Sequence, residues 1–320
     1  MTIVLTQAYN AEKTLPRTID SVLSQTGVDI EYHILDSAST DGTWGVILEA
    51  AQCPRIVPVK LRENRLTSYI DYIRELCRDE TVKDNDTLVN IDADDLFLPD
   101  ALRVLDSAIR DEKADIAIGS VRFTDHENWI KDCVIDRADL PHNFYYLYRF
   151  MATFWAKFYT FGLLRKADLC AAHRLRCLND SLAGPAIWKN ARRIACRRHG
   201  ILQYVEHPGQ VTRVFDPQRL EAPPIVYRAW MDFLESFGQP VSFENRMLLY
   251  RCYHFWVREQ LLKMRGSPIP YAERQFYIDF AANHPLVREA ERSGTVARES
   301  IQELADIRTM LLTEAKAMNI

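Results

Sequence analysis

Three carboxylates within four positions, Asp92-Ala93-Asp94-Asp95, end the apolar run Leu88-Val89-Asn90-Ile91 and lead into Leu96-Phe97-Leu98-Pro99-Asp100. Like charges packed this closely repel and raise one another's pKa. A divalent cation removes that conflict, and carboxylate oxygens are the hard ligands that suit Mg2+ or Mn2+. Mg2+ typically takes one or two carboxylates together with substrate phosphates, so one reading is a cation–diphosphate site at the end of a buried strand. The other is a solvated acidic turn running into a helix, because Pro99-Asp100-Ala101-Leu102 has the pattern of a helix start. On these residues alone both readings stay open.

The elements that must position the cluster alternate between strand and helix patterns. Residues 3–5 read as a buried strand, and residues 14–24 as a helix with Leu15, Ile19, Val22 and Leu23 on one face. Residues 31–35 are a second strand, and Asp41-Gly42-Thr43 opens a helix through Trp44, Ile47 and Leu48. Residues 55–61 are a third strand, placed at an edge or bend by Pro58. A helix at 68–78, a strand at 88–91, a helix at 101–110 and a strand at 116–123 continue the series. This order predicts an α/β fold with a mainly parallel sheet covered by helices on both faces. Ligands of such sheets bind beyond the carboxyl ends of the strands. The segments Gln7-Ala8-Tyr9-Asn10, Asp36-Ser37-Ala38-Ser39-Thr40-Asp41 and the acidic cluster should therefore converge, which favours the cation site over the solvated turn.

With 320 residues, 48% of them hydrophobic, the chain has enough apolar material for one large domain or two modest ones. A net charge of −4 with interleaved signs gives no indication of a nucleic-acid partner. Arg192, Arg193, Arg197 and Arg198 form a local basic cluster, read as a solvated face with phosphate or an anionic membrane as the alternative. Seven scattered cysteines without a Cys-x-x-Cys pair point to reduced thiols in a cytosolic compartment. No secretory leader pattern is evident, and no apolar run approaches the roughly 20 residues that span a bilayer. These features predict a soluble, cytoplasmic protein. Residues 143–169 are rich in aromatics, mostly core with a minority lining a substrate cleft. Residues 216–224 read as a Pro-containing linker, followed by helices at 227–237, 244–263, 271–283 and 300–318. This helical region, 225–320, suits a packing partner, a homo-oligomer surface or a membrane-docking element.

Four ordered blocks now carry a resemblance. They are Val4-Leu5-Thr6-Gln7-Ala8-Tyr9-Asn10-Ala11-Glu12-Lys13-Thr14-Leu15, Ser21-Val22-Leu23-Ser24-Gln25-Thr26, Leu35-Asp36-Ser37-Ala38-Ser39-Thr40-Asp41-Gly42-Thr43, and Asp92-Ala93-Asp94-Asp95. In order and spacing the chain resembles glycosyltransferase family 2, inverting, nucleotide-sugar-dependent enzymes of the GT-A fold. The match covers about the first 105 residues and continues more weakly to Thr212. The resemblance implies a GT-A domain over 1–215, with a nucleotide-sugar half at 1–125 and an acceptor half at 126–215. It places Ala8, Tyr9 and Asn10 against base and ribose, and makes Asp36 the acidic position that reads the nucleotide. Asp92 and Ala93 lie at the ribose or metal, and Asp94 is the preferred direct ligand of Mn2+ or Mg2+. Asp95 is either a second ligand or a cap for the following helix.

On the acceptor side the family usually carries Glu-Asp at a helix start, with the Asp as general base. The best match here is Asn179-Asp180, so Asp180 is the implied base and an N-cap carboxylate the bland alternative. The segment Trp155-Ala156-Lys157-Phe158-Tyr159 resembles the one that shapes the acceptor pocket. His207 and Arg213 are candidates for a diphosphate contact or a lid. Two departures stand out. The second strand ends Asp36-Ser37-Ala38-Ser39 in place of Asp-Asp-Gly-Ser, and Glu63-Asn64-Arg65-Leu66-Thr67-Ser68-Tyr69-Ile70-Asp71 lacks the family's glycines. Base recognition is thereby left open among UDP, GDP and dTDP types, and Arg65 is either a phosphate contact or a surface residue.

The implied chemistry is displacement at the anomeric carbon by an acceptor hydroxyl, with inversion, Asp180 taking the hydroxyl proton. The acceptor is a glycan or lipid-linked species, as in bacterial polysaccharide or glycoconjugate synthesis, with peripheral membrane association where it is lipid-linked. Two rivals remain: a non-catalytic GT-A-like nucleotide-sugar-binding or scaffolding protein, and a metal-dependent nucleotidyltransferase or pyrophosphorylase. The latter wants a Gly-rich basic loop after the first strand, which Gln7-Ala8-Tyr9-Asn10-Ala11 is not.

Overall fold

The computed structural model describes residues 1–65, 67–170, 175, 177–206, 215–292, 294 and 298–318. Contacts divide the chain into two compact units, Met1–Glu206 and His207–Ile320.

The first unit is built on one mixed sheet of ten strands. In chain order they are β1 (Thr2–Ala8), β2 (Ile30–Asp36), β3 (Ile56–Lys60), β4 (Thr87–Asn90), β5 (Leu96–Phe97), β6 (Ile116–Arg122), β7 (Glu127–Asn128), β8 (Cys133–Asp136), β9 (Lys157–Thr160) and β10 (Arg193–Gln203). They lie in the order β3-β2-β1-β4-β9-β6-β10-β5, with β7 beside β6 and β8 beside β10. The first four of that order are parallel. β9 enters antiparallel between β4 and β6, and β6 and β10 run parallel to each other. Two antiparallel steps restore the direction, so β1, β2, β3, β4, β6 and β10 all end along the same edge of the sheet.

Local chemistry explains these elements. β3 alternates buried and less buried positions, and its Pro58 is tolerated because β3 is the outer strand of the path. The helices are α1 (Leu15–Leu23), α2 (Thr43–Ala50), α3 (Ser68–Arg78), α4 (Ala101–Glu112), α5 (Leu140–Met151), α6 (Phe161–Leu164) and α7 (Asn179–Trp188). α1 starts with a proline in its first turn and buries Leu15, Thr18, Ile19 and Val22, one face at helical spacing. α4 buries Ala101, Leu102, Leu105, Ala108 and Ile109 in the same way. These faces pack with Val4, Ile34, Val89, Ile91, Ala117 and Phe158, all without solvent exposure.

β9 is the strand that alternation does not reveal. All four of its residues, Lys157-Phe158-Tyr159-Thr160, are buried, so the period-2 signal of a half-exposed strand is absent.

The second unit contains α8 (Gln218–Glu235), α9 (Phe243–Leu262), α10 (Tyr271–Ala282), α11 (Pro285–Arg292) and α12 (Arg298–Ala317). The linker expected at 216–224 is corrected here, since Pro223 and Pro224 lie inside α8. Proline disfavours a helix interior, but burial of Leu220, Ala222, Val226 and Trp230 outweighs that local preference. Tyr250, Tyr253, Val257, Leu261, Ile278 and Leu311 form the core of this unit. Arg274 is fully buried there and donates to the carbonyls of Ile269, Leu311 and Ser267 at 3.0, 3.2 and 2.7 Å. Among the described residues no helix is long and apolar enough to cross a membrane.

The pairing of β6 with β10 carries register shifts around Gly200. Opposite them sits Gly119, where a Cβ would lie 1.8 Å from Ile201 Cγ1 and 3.0 Å from the His199 carbonyl. Gly119→Ala should therefore destabilise the chain by about 1–3 kcal/mol through overpacking. Urea unfolding reads this directly; an unchanged midpoint would mean that β10 yields freely.

Candidate functional site

The first group of candidate residues is assembled where β1 and β2 end. Ala8 and Asp36 are partners in the parallel register, and the Ser37 N–H donates to the Ala8 carbonyl at 2.8 Å. Asn10 adopts a left-handed conformation with φ of 49°, which asparagine tolerates better than most residues. Its N–H donates to Ser39 Oγ at 3.0 Å, and its Oδ1 accepts from the Thr40 N–H at 2.9 Å. The Tyr9 ring beside it is 46% exposed. Asp36 is fully buried, and its Oδ1 accepts from the Ser39 N–H at 3.1 Å. Asp36 Oδ2 and the neighbouring Ser37 Oγ are buried without a hydrogen-bond partner among the described residues. Unmatched buried polar atoms are expensive, and a ligand's donors and acceptors are one way to match them.

Gln7 ties the loop after β3 to β1. Its Nε2 donates to the Arg65 carbonyl at 2.7 Å, and its Oε1 accepts from the Tyr69 N–H at 3.0 Å. Arg65 itself directs its guanidinium to Glu63 at 3.2 Å and Asp71 at 3.1 Å. The structure thus places Arg65 with carboxylates of its own loop and helix.

The acidic cluster follows β4. Asn90 Nδ2 donates to Asp92 Oδ1 at 3.4 Å. Asp92 keeps a solvent-facing surface, yet the protein crowded around it pushes its pKa up to about 7; lost hydration is the largest cause, followed by the charges of Asp180 and Asp94. Asp94 is half-buried. Asp95 is fully buried; its Oδ1 accepts from the Val205 N–H at 2.9 Å and its carbonyl accepts from Thr18 Oγ1 at 2.9 Å. Burial first, then Asp92, raise its pKa to about 9. Burial thus favours the neutral form of Asp95, which braces the cluster against the end of β10; its Oδ2 is buried without a hydrogen-bond partner among the described residues. It caps no helix: the residue before α4 is Asp100, which itself makes no side-chain cap bond.

Among the described residues no three His, Cys, Asp or Glu side chains are arranged to hold a metal alone. The donor set that does fit a cation is Asp92 with Asp94, two hard carboxylates whose crowding a positive charge relieves. Such a pair needs phosphate oxygens to complete a Mg2+-like shell.

Asp180, the candidate base, is positioned by α7 and the 152–156 connection. Leu178 occupies the N-cap of α7 in a left-handed conformation, and Asp180 lies in the first turn. Both carboxylate oxygens of Asp180 reach away from its own helix. Oδ1 accepts from Tyr69 OH at 2.5 Å, and Oδ2 accepts from the Phe154 N–H at 3.2 Å. Burial and the nearby Asp180 hold the Tyr69 phenol far above its ordinary pKa, so its proton stays in that bond. Tyr69 is the residue that sequence reading passed over, naming it only within the run from Glu63 to Asp71 and giving it no role. Its link runs from Gln7 on β1 to Asp180 on α7.

His207 and Arg213 lie outside the described residues. The basic cluster is not an open anion site. Arg192 pairs with Asp115 at 2.9 Å, Arg193 with Asp136 at 2.8 Å and Arg197 with Glu112 at 2.7 Å, while Arg198 lies over the Trp129 ring. A cavity of about 590 Å³ opens beside Thr2, Asp84, Asp115 and Arg192. It sits toward the amino ends of β1 and β4, and none of Asp36, Asp92, Asp94 and Asp180 lines it.

Comparison with known proteins identifies the family and the fold. The sequence profile of Glycosyl transferase family 2 matches residues 3–166. Chondroitin synthase of Escherichia coli is 29% identical over 118 residues, 37% of this chain and 16% of that protein. UDP-Glc:alpha-D-GlcNAc-diphosphoundecaprenol beta-1,3-glucosyltransferase WfaP, also of Escherichia coli, is 46% identical over 44 residues, 14% of this chain and 18% of that protein. The matched stretch thus spans less than a fifth of each of these relatives. Among solved structures, S. aureus TarS 1-349 in complex with UDP aligns with a TM-score of 0.60 at 13% identity, covering 98% of this chain and 89% of that one. Mannosyltransferase PcManGT from Pyrobaculum calidifontis, in complex with GDP-Man and Mn2+, aligns with a TM-score of 0.50 at 13% identity over 99% of this chain and 86% of that one. These two likenesses show the fold, which is GT-A-like.

The strut role of Asp95 has a pH signature. A carboxyl whose folded pKa is raised holds its proton in the fold, and that contribution, complete below the unfolded value near 4, is lost as pH rises through about 9. Asp95→Asn, which keeps an acceptor for the Val205 N–H, should flatten the fall in unfolding temperature between about pH 5 and 8. Asp95→Ala should instead cost about 1–3 kcal/mol by orphaning that N–H. Parallel slopes for wild type and Asp95→Asn would contradict the assignment.

Proposed function

This chain belongs to glycosyl transferase family 2, and on that premise we propose that it is an inverting enzyme moving a sugar from a nucleoside-diphosphate sugar to an acceptor hydroxyl. The observation that carries the proposal is the connected path from Gln7 through Tyr69 to Asp180, with Asp180 in electrostatic reach of Asp92. A carboxylate suited to base work is thereby held beside a carboxylate pair suited to a diphosphate's cation.

On the donor side, Ala8, Tyr9, Asn10 and Asp36 receive the nucleoside. The exposed Tyr9 ring offers a stacking face, and the unpartnered Asp36 Oδ2 an acceptor for a base or ribose donor. Asp92 and Asp94 hold Mn2+ or Mg2+ with the diphosphate, Ala93 lying between them. When bound, the cation supplies Lewis-acid stabilisation of charge on the leaving diphosphate. Ser37 replaces the family's second carboxylate, so the base is left open among UDP, GDP and dTDP. The relatives in complex with UDP or GDP-Man support a nucleotide donor of this class.

On the acceptor side, Asp180 receives the proton of the attacking hydroxyl. Each carboxylate oxygen has two lone pairs, so bonds from Tyr69 and the Phe154 N–H leave room for a third partner. Those two donors also fix the carboxylate's orientation, which the proton transfer requires. Residues 1–206 form the transferase unit in this reading, and the helical region packs, oligomerises or docks. The names of the bacterial relatives support a glycan or lipid-linked acceptor in polysaccharide or glycoconjugate synthesis. The reaction is placed on the cytoplasmic side, at the inner face of the membrane where the acceptor is lipid-linked.

Transfer or hydrolysis of UDP-, GDP- and dTDP-sugars with Mn2+ tests the reading. Wild type should turn over at least one donor, and Asp180→Asn should lose about 10²–10⁴ in rate, the usual share of general-base catalysis, with nucleotide affinity nearly intact. Equal loss of both would remove Asp180 from the base role. Nucleotide-sugar binding without any turnover in wild type would favour a binding or scaffolding protein.

A further inference from the structure

Lys157 is fully out of solvent on β9, a place where an ammonium group is rare. Its Nζ donates to Thr153 Oγ1 at 2.9 Å and to the Trp155 carbonyl at 2.7 Å, and it lies 5.4 Å over the Trp155 ring. Both acceptors belong to the 152–156 connection between α5 and β9. That same connection presents the Phe154 N–H to Asp180. It also contains Ala156 in a left-handed conformation with φ of 57°. An alanine there is strained, and such strain persists only where surrounding contacts over-determine the backbone.

A wholly apolar side chain would fill this position without the desolvation that burial imposes on an amine. Burial lowers the Lys157 pKa to about 7, and only the charge of Asp180 works in the opposite direction. The amine's two hydrogen bonds, in contrast, brace the strained connection from either side of Phe154. We propose that Lys157 is a positioning residue of the acceptor side, tying Thr153 to Trp155 so that the Phe154 N–H holds Asp180 in one orientation. Its importance for transfer rests on the reading of Asp180 as base; its hold on the connection does not.

Two readouts test this on the full chain. Amide exchange followed by mass spectrometry should show faster exchange at Phe154 in Lys157→Met than in wild type, with Lys157→Arg between them. In the transfer assay Lys157→Met should lower kcat by about 10²-fold, the scale of a small misplacement, leave the donor KM unchanged, and be largely rescued in Lys157→Arg. Unchanged exchange at Phe154, or kcat and donor affinity falling together, would overturn the proposal. Should Lys157→Met fail to fold, Thr153→Val removes one acceptor while keeping the lysine: faster exchange at Phe154 supports the brace, and unchanged exchange overturns it. A wild type that neither transfers nor hydrolyses any donor would sink the enzymatic reading, while the exchange comparison would still decide the brace.

Discussion

Crowded negative charge is the constraint around which the first unit is organised. Asp92 feels both Asp94 and Asp180, and Asp95 stands directly behind it with no water. Carboxylates in such company cannot all remain ionised without help. The fold supplies part of that help internally: burial favours the neutral form of Asp95, which accepts from the Val205 N–H, and Asp180 accepts hydrogen bonds from Tyr69 and Phe154. Asp92 and Asp94 are left as the pair proposed to hold a cation with an anionic ligand.

The sheet explains how residues from distant parts of the chain reach this point. Four parallel strands bring Asn10, Asp36 and Asp92 to one edge, and β9 turns the direction twice so that the ends of β6 and β10 join them. Gln7 then fastens the α3 loop, and Tyr69 carries the connection to α7. Tyr69 thus links the end of β1 to α7. Movement of the loop after β3 would reach the carboxylate proposed as base.

Much of this was legible in the residues themselves. Helical and strand periodicity located β1 to β4, α1, α3 and α4 within a few residues, because each has one apolar face against a common core. The acidic cluster stands out by its own spacing, while Asp36 and Asp180 become candidates through the resemblance to glycosyltransferase family 2. Legibility failed where burial removes the periodic signal: β9 has no exposed face, and α8 accommodates two prolines because its apolar side chains are enclosed. Tyr69 and Lys157 were hidden for a related reason. Tyr69 meets Asp180 only through tertiary packing, and Lys157 turns its amine onto Thr153 Oγ1 and the Trp155 carbonyl because β9 is buried along its whole length. The basic run at 192–198 reads as a solvated face, and what the residues could not show is the acidic partner that other elements supply to Arg192, Arg193 and Arg197.

Thermal unfolding with UDP, GDP and dTDP, each with and without Mn2+, tests the cation–diphosphate clamp most directly. A ligand that binds only the folded state raises apparent stability by mass action, about 2.7 kcal/mol at a hundredfold excess over Kd. At least one nucleoside diphosphate should raise the unfolding temperature with Mn2+, and raise it much less without the cation or in Asp94→Ala. A nucleotide shift that is identical with and without Mn2+, or the absence of any shift, would contradict the assignment of Asp92 and Asp94.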